Sequence, residues 1–399
     1  MMLKSINIFF TETIFKKKVY IFSLWYLISA LALIKILKNG NYNNFLIFKF
    51  TFFSLLDQKN LFLPQPENFQ HYNLYGPIFS VLIAPFAILP NWLGHTLWTF
   101  FNSFILLYAI RKLPLSSGAT LAILLIAAHE NLTSILSSQF NPSMTAIILL
   151  TYTFIDQKKD FWAALMIILG TFIKLYGIVG LAFFLLSKNK LMLVSGLIFW
   201  SAIAFSIPML FSSPAYILQT YKDWFEAITA KNKMNTTLIT DQDLCLMGMV
   251  RRISGNHSIP NWPFLGAGLF LFSMPYLRIK QYKEPAFRLL LLSSTLLFTV
   301  IFSTSSESPT YIIAFTGVAI WFVTQERPFK AWQVVLFVFA MALTSFSPSD
   351  LFPKFIRNEF IKPYSLKALP CVLIWFAISY QLLTLDFTNS KLIEKSKAI

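Results

Sequence analysis

The chain has 399 residues, 56% hydrophobic, 17% aromatic and only 13% charged, with a net charge of +16 and a mean hydropathy of +0.62. Soluble domains carry about a quarter of their residues charged, so this balance excludes one and indicates an integral membrane protein. The basic residues lie in short clusters between apolar runs, which is how topology is written in a membrane and not how a nucleic-acid surface is built.

The apolar runs are continuous and do not alternate, so they predict helices and not a β-barrel. The segment "SINIFFTETIFKKK" is followed by a run, Val19–Leu37, that lacks a small-residue cleavage site, so the first helix is expected to remain as an anchor. Lys16, Lys17 and Lys18 set the N-terminus in the cytoplasm and the loop Lys38–Gly76 outside. In that loop Phe45, Phe48, Phe52 and Leu55 form an apolar stripe at helical spacing, which predicts an interfacial helix. Pro77–Pro90, bounded and interrupted by prolines, reads as a re-entrant or kinked piece before the span Leu93–Ile110.

Phe161–Leu186 is too long for one helix and short for two. Lys174 and Gly177 mark its tip, since a charge is tolerable where a hairpin reaches the interface. Leu191–Leu210 and Leu289–Phe302 follow as further spans. The clusters Arg111–Lys112, Lys158–Lys159, Lys188–Lys190, Arg278–Arg288 and Arg327–Lys330, and the tail after Asp386, read as cytoplasmic, leaving the polar loops Phe211–Trp262 and Ser347–Tyr364 outside. The expectation is an all-α polytopic membrane protein, a bundle of about 12 transmembrane helices with both termini inside. No internal repeat is visible, so residues 1–399 read as a single membrane-embedded domain.

The polar groups that could carry chemistry collect at four outward positions: Asn41, Asn43, Asn44, Asp57, Glu67 and His71 in the first loop, Gln139 and Asn141 in "SSQFNPS", Lys174, and Glu307 in "SSESPT". An ammonium such as Lys174 suits a lipid-borne phosphate, but a lysine there can also simply snorkel. Gln139 and Asn141 could bond sugar hydroxyls or merely end a helix, and Glu307 is a second carboxylate or a solvated hairpin tip. His129–Glu130 could begin a proton relay or close a helix end. Asn131, Asn235 and Asn256 match the glycosylation sequon, a short pattern that matters only in a secretory pathway. Cys245 and Cys371 stand far apart, which indicates unpaired thiols. No phosphate-binding loop, metal-ligand cluster, nucleophile elbow or dinucleotide fingerprint is present, so no cofactor is expected.

Four segments in order, "NNFLIFKFTFFSLLDQKNLF", "YGPIFSVLIAPFAILP", "SQFNPSMTAIILL" and "AALMIILGTFIKLYGIVGL", resemble those of the polyprenol-phosphate-dependent membrane glycosyltransferases of family 87. These are the mannosyltransferase-like members of the GT-C superfamily. The resemblance runs from about Asn41 to Trp224 and implies a GT-C-like fold in the plasma membrane of a bacterial cell envelope. It implies transfer of a hexosyl or mannosyl group, with inversion, from a polyprenyl-phosphate sugar on the outer face to a glycan or glycolipid acceptor, with membrane lipids as surroundings and no nucleic acid as partner. It places Lys174 at the phosphate-binding cation, with Asn43, Asn44, Gln139 and Asn141 as further substrate contacts; Glu307, beyond the stretch that carries the resemblance, is a candidate substrate contact from its own chemistry. The family's acid falls on Asn43 or Asn44 here, and an amide is no base, so Asp57, Glu67 and His71 become the substitutes. Two other readings are a lipid-linked sugar translocase or secondary transporter, which would place polar groups at the membrane midplane on broken helices, and an inactive donor-binding homologue.

Overall fold

A computed structural model describes residues 18–40, 42–237 and 242–388, and every regular element among them is helical. The leading basic cluster (Lys16, Lys17), the segment it closes, Asn41 and the tail beyond residue 388 lie outside the described residues. In chain order the first helices are α1 (Lys18–Asn39), α2 (Asn43–Leu56), the short α3 (Pro77–Leu82) and α4 (Ala84–Ala87), α5 (Asn91–Arg111), α6 (Ser117–Leu136), α7 (Asn141–Asp156) and α8 (Asp160–Lys174). A 3₁₀ helix, Tyr176–Leu186, precedes α9 (Lys190–Ser206), α10 (Pro214–Asn235), α11 (Leu246–Ser254) and α12 (Trp262–Ser273). The last are α13 (Pro285–Ile301), α14 (Tyr311–Val323), α15 (Ala331–Phe339), prolonged by a π-helix to Phe346, and α16 (Leu369–Thr384).

Five helical stretches among the described residues are long and apolar enough to cross a membrane: Lys18–Asn39, Asn91–Arg111, Ser117–Leu136, Lys190–Leu210 and Leu366–Thr384. The expected count of about 12 therefore has five full-length members. Other apolar stretches, such as Pro285–Ile301 and Trp262–Leu277, have 10–17 residues, below the roughly 20 that a 30 Å hydrocarbon layer asks of an untilted helix. The proline-bounded piece is kinked as expected, because α3 ends at Leu82 and α4 restarts after Ile83 with Pro85 in its first turn.

The chain divides into two compact units. Unit I comprises Met1–Ala30, Ile110–Thr133 and Thr236–Ile399; unit II comprises Leu31–Ala109 and Ser134–Asn235. In unit II the stripe on α2 is buried as expected, with Phe45 and Leu55 at 0% exposure. Phe48 sits among Tyr75, Phe79 and Trp98 at ring-centroid distances of 4.9, 5.1 and 5.8 Å, edge-on contacts each worth about 0.5–1.5 kcal/mol. The segment Phe161–Leu186 forms the expected hairpin. α8 ends at Lys174, Leu175 turns the chain in the left-handed region (φ 51°), and the 3₁₀ helix returns. Ser187 closes the open end by donating to Asp160 Oδ1 at 2.6 Å.

The two arms of the hairpin touch through glycines. A Cβ built on Gly177 would stand 2.3 Å from the Thr171 nitrogen and 2.5 Å from the Gly170 Cα, so no larger residue fits. Gly177→Ala is expected to force the arms apart at a cost of about 1–3 kcal/mol. The check is a lowered unfolding temperature of the detergent-solubilised protein.

Unit I is built around α13 and α14, packed along their lengths and buried on nearly all sides. Two ion pairs lie inside it. Glu130, which with His129 is part of α6 and does not end it, accepts from Lys367 Nζ at 3.1 and 3.2 Å. That ammonium also donates to Ser308 Oγ at 3.0 Å and lies 4.9 Å from the centre of the Tyr311 ring. His129 instead meets Ser345 Oγ at 3.2 Å. Lys367→Ala would strand a fully buried carboxylate, and breaking such a pair costs about 3–5 kcal/mol. The expected result is a marked fall in thermal stability, largely relieved in the double variant Lys367→Met, Glu130→Gln.

The second pair, Arg251 on Asp243 at 2.7 Å, has both side chains fully buried. Arg251 also donates to Ile259 O and Asn261 Oδ1, and the Asp243 N–H donates to Thr304 O, so the pair ties together three stretches of loop. Burial raises the Asp243 carboxyl above the ordinary range, against the donors Arg251 and Cys245, which pull it down. Cys245 and Cys371 are unpaired and buried. Asn131 and Asn235 are buried as well, so of the three sequons only Asn256 is exposed.

Candidate functional site

Helix α7 begins at Asn141, with Pro142 in its first turn, where a missing N–H costs nothing because those donors have no intrahelical partner. Its N-terminus carries the positive end of the helix dipole. The tip of the α8 hairpin lies against it: the half-buried Lys174 donates through Nζ to Asn141 Oδ1 at 2.8 Å. The ammonium also lies over two aromatic faces, 5.1 Å from the ring centre of Tyr176 and 5.7 Å from that of Tyr75. Asn141 is wholly buried, and its Nδ2 has no acceptor among the described residues. A buried donor without a partner is uncommon in a folded protein.

Tyr75 is held from several directions. Its hydroxyl donates to Gln139 Oε1 at 3.2 Å. Asn73 grips its backbone, accepting from the N–H at 3.0 Å and donating to the carbonyl at 3.2 Å. The following Gly76 N–H donates to the Ile173 carbonyl, one residue before Lys174. A Cβ on Gly76 would stand 2.1 Å from the Phe172 oxygen, so the approach requires glycine.

The first loop joins this cluster through α2. Asn44 donates to Ser137 O at 2.7 Å, two residues before Gln139. Asn43 pairs reciprocally with the backbone of Gln70, donating to its carbonyl at 2.8 Å and accepting from its N–H at 2.7 Å. The loop after α2 thus folds back on the N-terminal end of that helix and carries the exposed Glu67 and His71 with it; His71 has φ 78°, a conformation uncommon for a residue with a side chain. Asp57 does not join them. It caps the opposite end of α2, about 20 Å away at 1.5 Å per residue, and pairs with Lys59 at 3.0 Å in an exposed position.

Of the residues singled out in the sequence, then, Asn44, Gln139, Asn141 and Lys174 come together in unit II, and Asn43 brings Glu67 and His71 to the same end of α2. Glu307 belongs to unit I, half-buried at the start of the turn Ser308–Thr310, with its N–H donating to the Thr310 hydroxyl. Tyr75 and Tyr176, which enclose the ammonium, carry no signal in the sequence beyond their places in "YGPIFSVLIAPFAILP" and "AALMIILGTFIKLYGIVGL".

No curated protein matches the chain. The model of glycosyltransferase family 87 matches residues 73–304, more than half of the chain. That span takes in Tyr75, Gln139, Asn141 and Lys174, and begins after Asn43, Asn44, Asp57, Glu67 and His71. With its apolar helices and this match, the chain belongs to glycosyltransferase family 87 and is a membrane glycosyltransferase.

Proposed function

We propose that the protein transfers a hexosyl group, of the mannosyl type, from a polyprenyl-phosphate donor to a hydroxyl of a glycan or glycolipid acceptor on the outward face of a bacterial plasma membrane, with inversion. Both termini are cytoplasmic in this reading, and a GT-C-like bundle holds the lipid. The observation that carries it is the anion site around Lys174: an ammonium, the N-terminus of α7 and the orphan Asn141 amide nitrogen converge at one place. Each favours negative charge, and a lipid phosphate gains charge as the bond from the sugar C1 to its oxygen breaks. Donors already fixed there stabilise the leaving group without reorganisation.

The acceptor hydroxyl attacks C1 from the opposite face, and its proton passes to a base. Asn43 and Asn44 are held as structural amides, so the base is assigned to the folded-back loop, at Glu67 or His71. Of the three substitutes, Asp57 fits least, because of its distance along α2 and its pairing with Lys59. Gln139 and Tyr75 bond sugar hydroxyls in this reading.

The test is transfer by purified full-length protein in liposomes, offered polyprenyl-phosphate sugars that differ in the sugar. Transfer with one sugar class, giving a product of inverted configuration, supports the reading. Donor binding without transfer would instead favour an inactive donor-binding homologue, and movement of the sugar lipid across the bilayer a translocase.

A further inference from the structure

The stretch from Tyr72 to Gly76 has different surroundings on its two sides. Tyr75 faces the Lys174 ammonium, whereas Tyr72 and Leu74 line a cavity of about 390 Å³, within the range of small-molecule sites. The far wall of that cavity is α10, which contributes Asp223, Glu226 and Ala227. Cavity walls drawn from separate segments need fixing if they are to form a site, and here three hydrogen bonds do so. Asn60 donates to Asp223 Oδ2 at 2.8 Å, the Trp224 indole to Leu74 O at 3.0 Å, and the Tyr216 hydroxyl to Lys59 O at 2.6 Å, while within α10 Gln219 orients the Asp223 carboxylate by donating to its Oδ1 at 2.8 Å.

The chemistry of this cavity differs from that of the Lys174 site. Two carboxylates, Asp223 and Glu226, line it against one ammonium, Lys231, so it repels a phosphate. Glu226 makes no hydrogen bond or ion pair among the described residues and is exposed to the cavity mouth. Carboxylate oxygens only accept hydrogen bonds, which suits neutral hydroxyls. Phe62, Leu74 and Met234 add an apolar surface, which suits the face of a sugar ring or the start of a lipid chain.

We propose that this cavity binds the hydroxylated head of the acceptor, with Glu226 and Asp223 accepting from its hydroxyls. The inference rests on the transferase reading. It sorts the two substrates by charge: the anionic donor goes to Lys174, and the neutral, polyhydroxylated acceptor goes to the α10 cavity on the other side of Tyr72–Gly76.

The test is direct binding to the full-length protein in nanodiscs, which does not require transfer. The probes are octyl β-mannoside, free mannose and dodecyl phosphate. Octyl mannoside is expected to bind, about tenfold more weakly once Ala230→Trp fills the cavity, and about threefold or more weakly in Glu226→Gln. Lys174→Ala is expected to leave this binding unchanged while weakening dodecyl phosphate. Retained dodecyl phosphate binding by Ala230→Trp and Glu226→Gln shows that those variants are folded. Competition by free mannose would identify a soluble glycan as the source of the head, and its failure to compete a lipid-borne one. Octyl mannoside that fails to bind, binds both cavity variants as well as the parent, or is lost with Lys174→Ala overturns the inference. Loss of dodecyl phosphate sensitivity to Lys174→Ala, by contrast, would overturn the donor site and leave the cavity standing.

Discussion

Replacing Lys174 by alanine is expected to lower the turnover of sugar transfer by about 100- to 1,000-fold, the effect of removing one fixed charge-stabilising donor from a transition state. The ammonium lies at the tip of the α8 hairpin, 2.8 Å from Asn141 Oδ1 and at the N-terminus of α7, so its charge is held in place before substrate arrives. Lys174→Arg keeps the charge but must fit a planar fork between the rings of Tyr75 and Tyr176; it is expected to keep part of the activity. Asn141→Leu removes the orphan donor together with the acceptor that orients Lys174, and should raise the donor KM as well as lower turnover. Steady-state transfer with donor and acceptor varied separately checks all three. Near-normal kinetics for Lys174→Ala in a folded protein would remove the site from the mechanism.

The second large effect is expected in the first loop. Losing the base typically removes about 10²- to 10⁴-fold of rate, so either Glu67→Gln or His71→Ala should reduce transfer to near background, while Asp57→Asn stays close to the parent. The reason is the reciprocal pairing of Asn43 with Gln70, which returns this part of the loop to the N-terminal end of α2 and leaves Asp57 at the other end. The same geometry predicts that Asn43→Ala, which removes both hydrogen bonds, also impairs transfer by freeing the loop. Asp57→Asn abolishing transfer while both loop variants remain active would refute the fold-back argument.

Much of unit II was legible in the sequence because its signals are local. The stripe Phe45, Phe48, Phe52, Leu55 has helical spacing, and it is the buried face of α2. The prolines at 77, 85 and 90 announce a broken helix, and α3 and α4 are its two pieces. A 26-residue apolar run with a charge and a glycine in its middle has little choice but to turn there, and it does so at Leu175. The span count fared less well, because hydropathy records apolar length without recording where a helix breaks. Trp262–Leu277 passes from α12 into a 3₁₀ turn at Met274, and Ala331–Phe346 passes from α15 into a π-helix at Ala340, both inside apolar sequence.

The sequence by itself determined that this is a helical membrane protein, that Lys174 stands at a hairpin tip, and that polar turns at Gln139 and Asn141 accompany it. Each follows from the order of residues over a turn or two of chain, where periodicity, proline and the cost of a buried charge act directly. Only the tertiary structure decided which of these residues meet. Asn141 lies 33 positions from Lys174, Gln139 lies 64 from Tyr75, and Glu130 lies 237 from Lys367. Those pairings depend on which helices pack side by side, and nothing in the local pattern encodes that choice. The same holds for the carboxylates of α10: on the sequence they are two acids in the polar loop Phe211–Trp262, and only the packing of α10 on the first loop makes them the wall of a cavity.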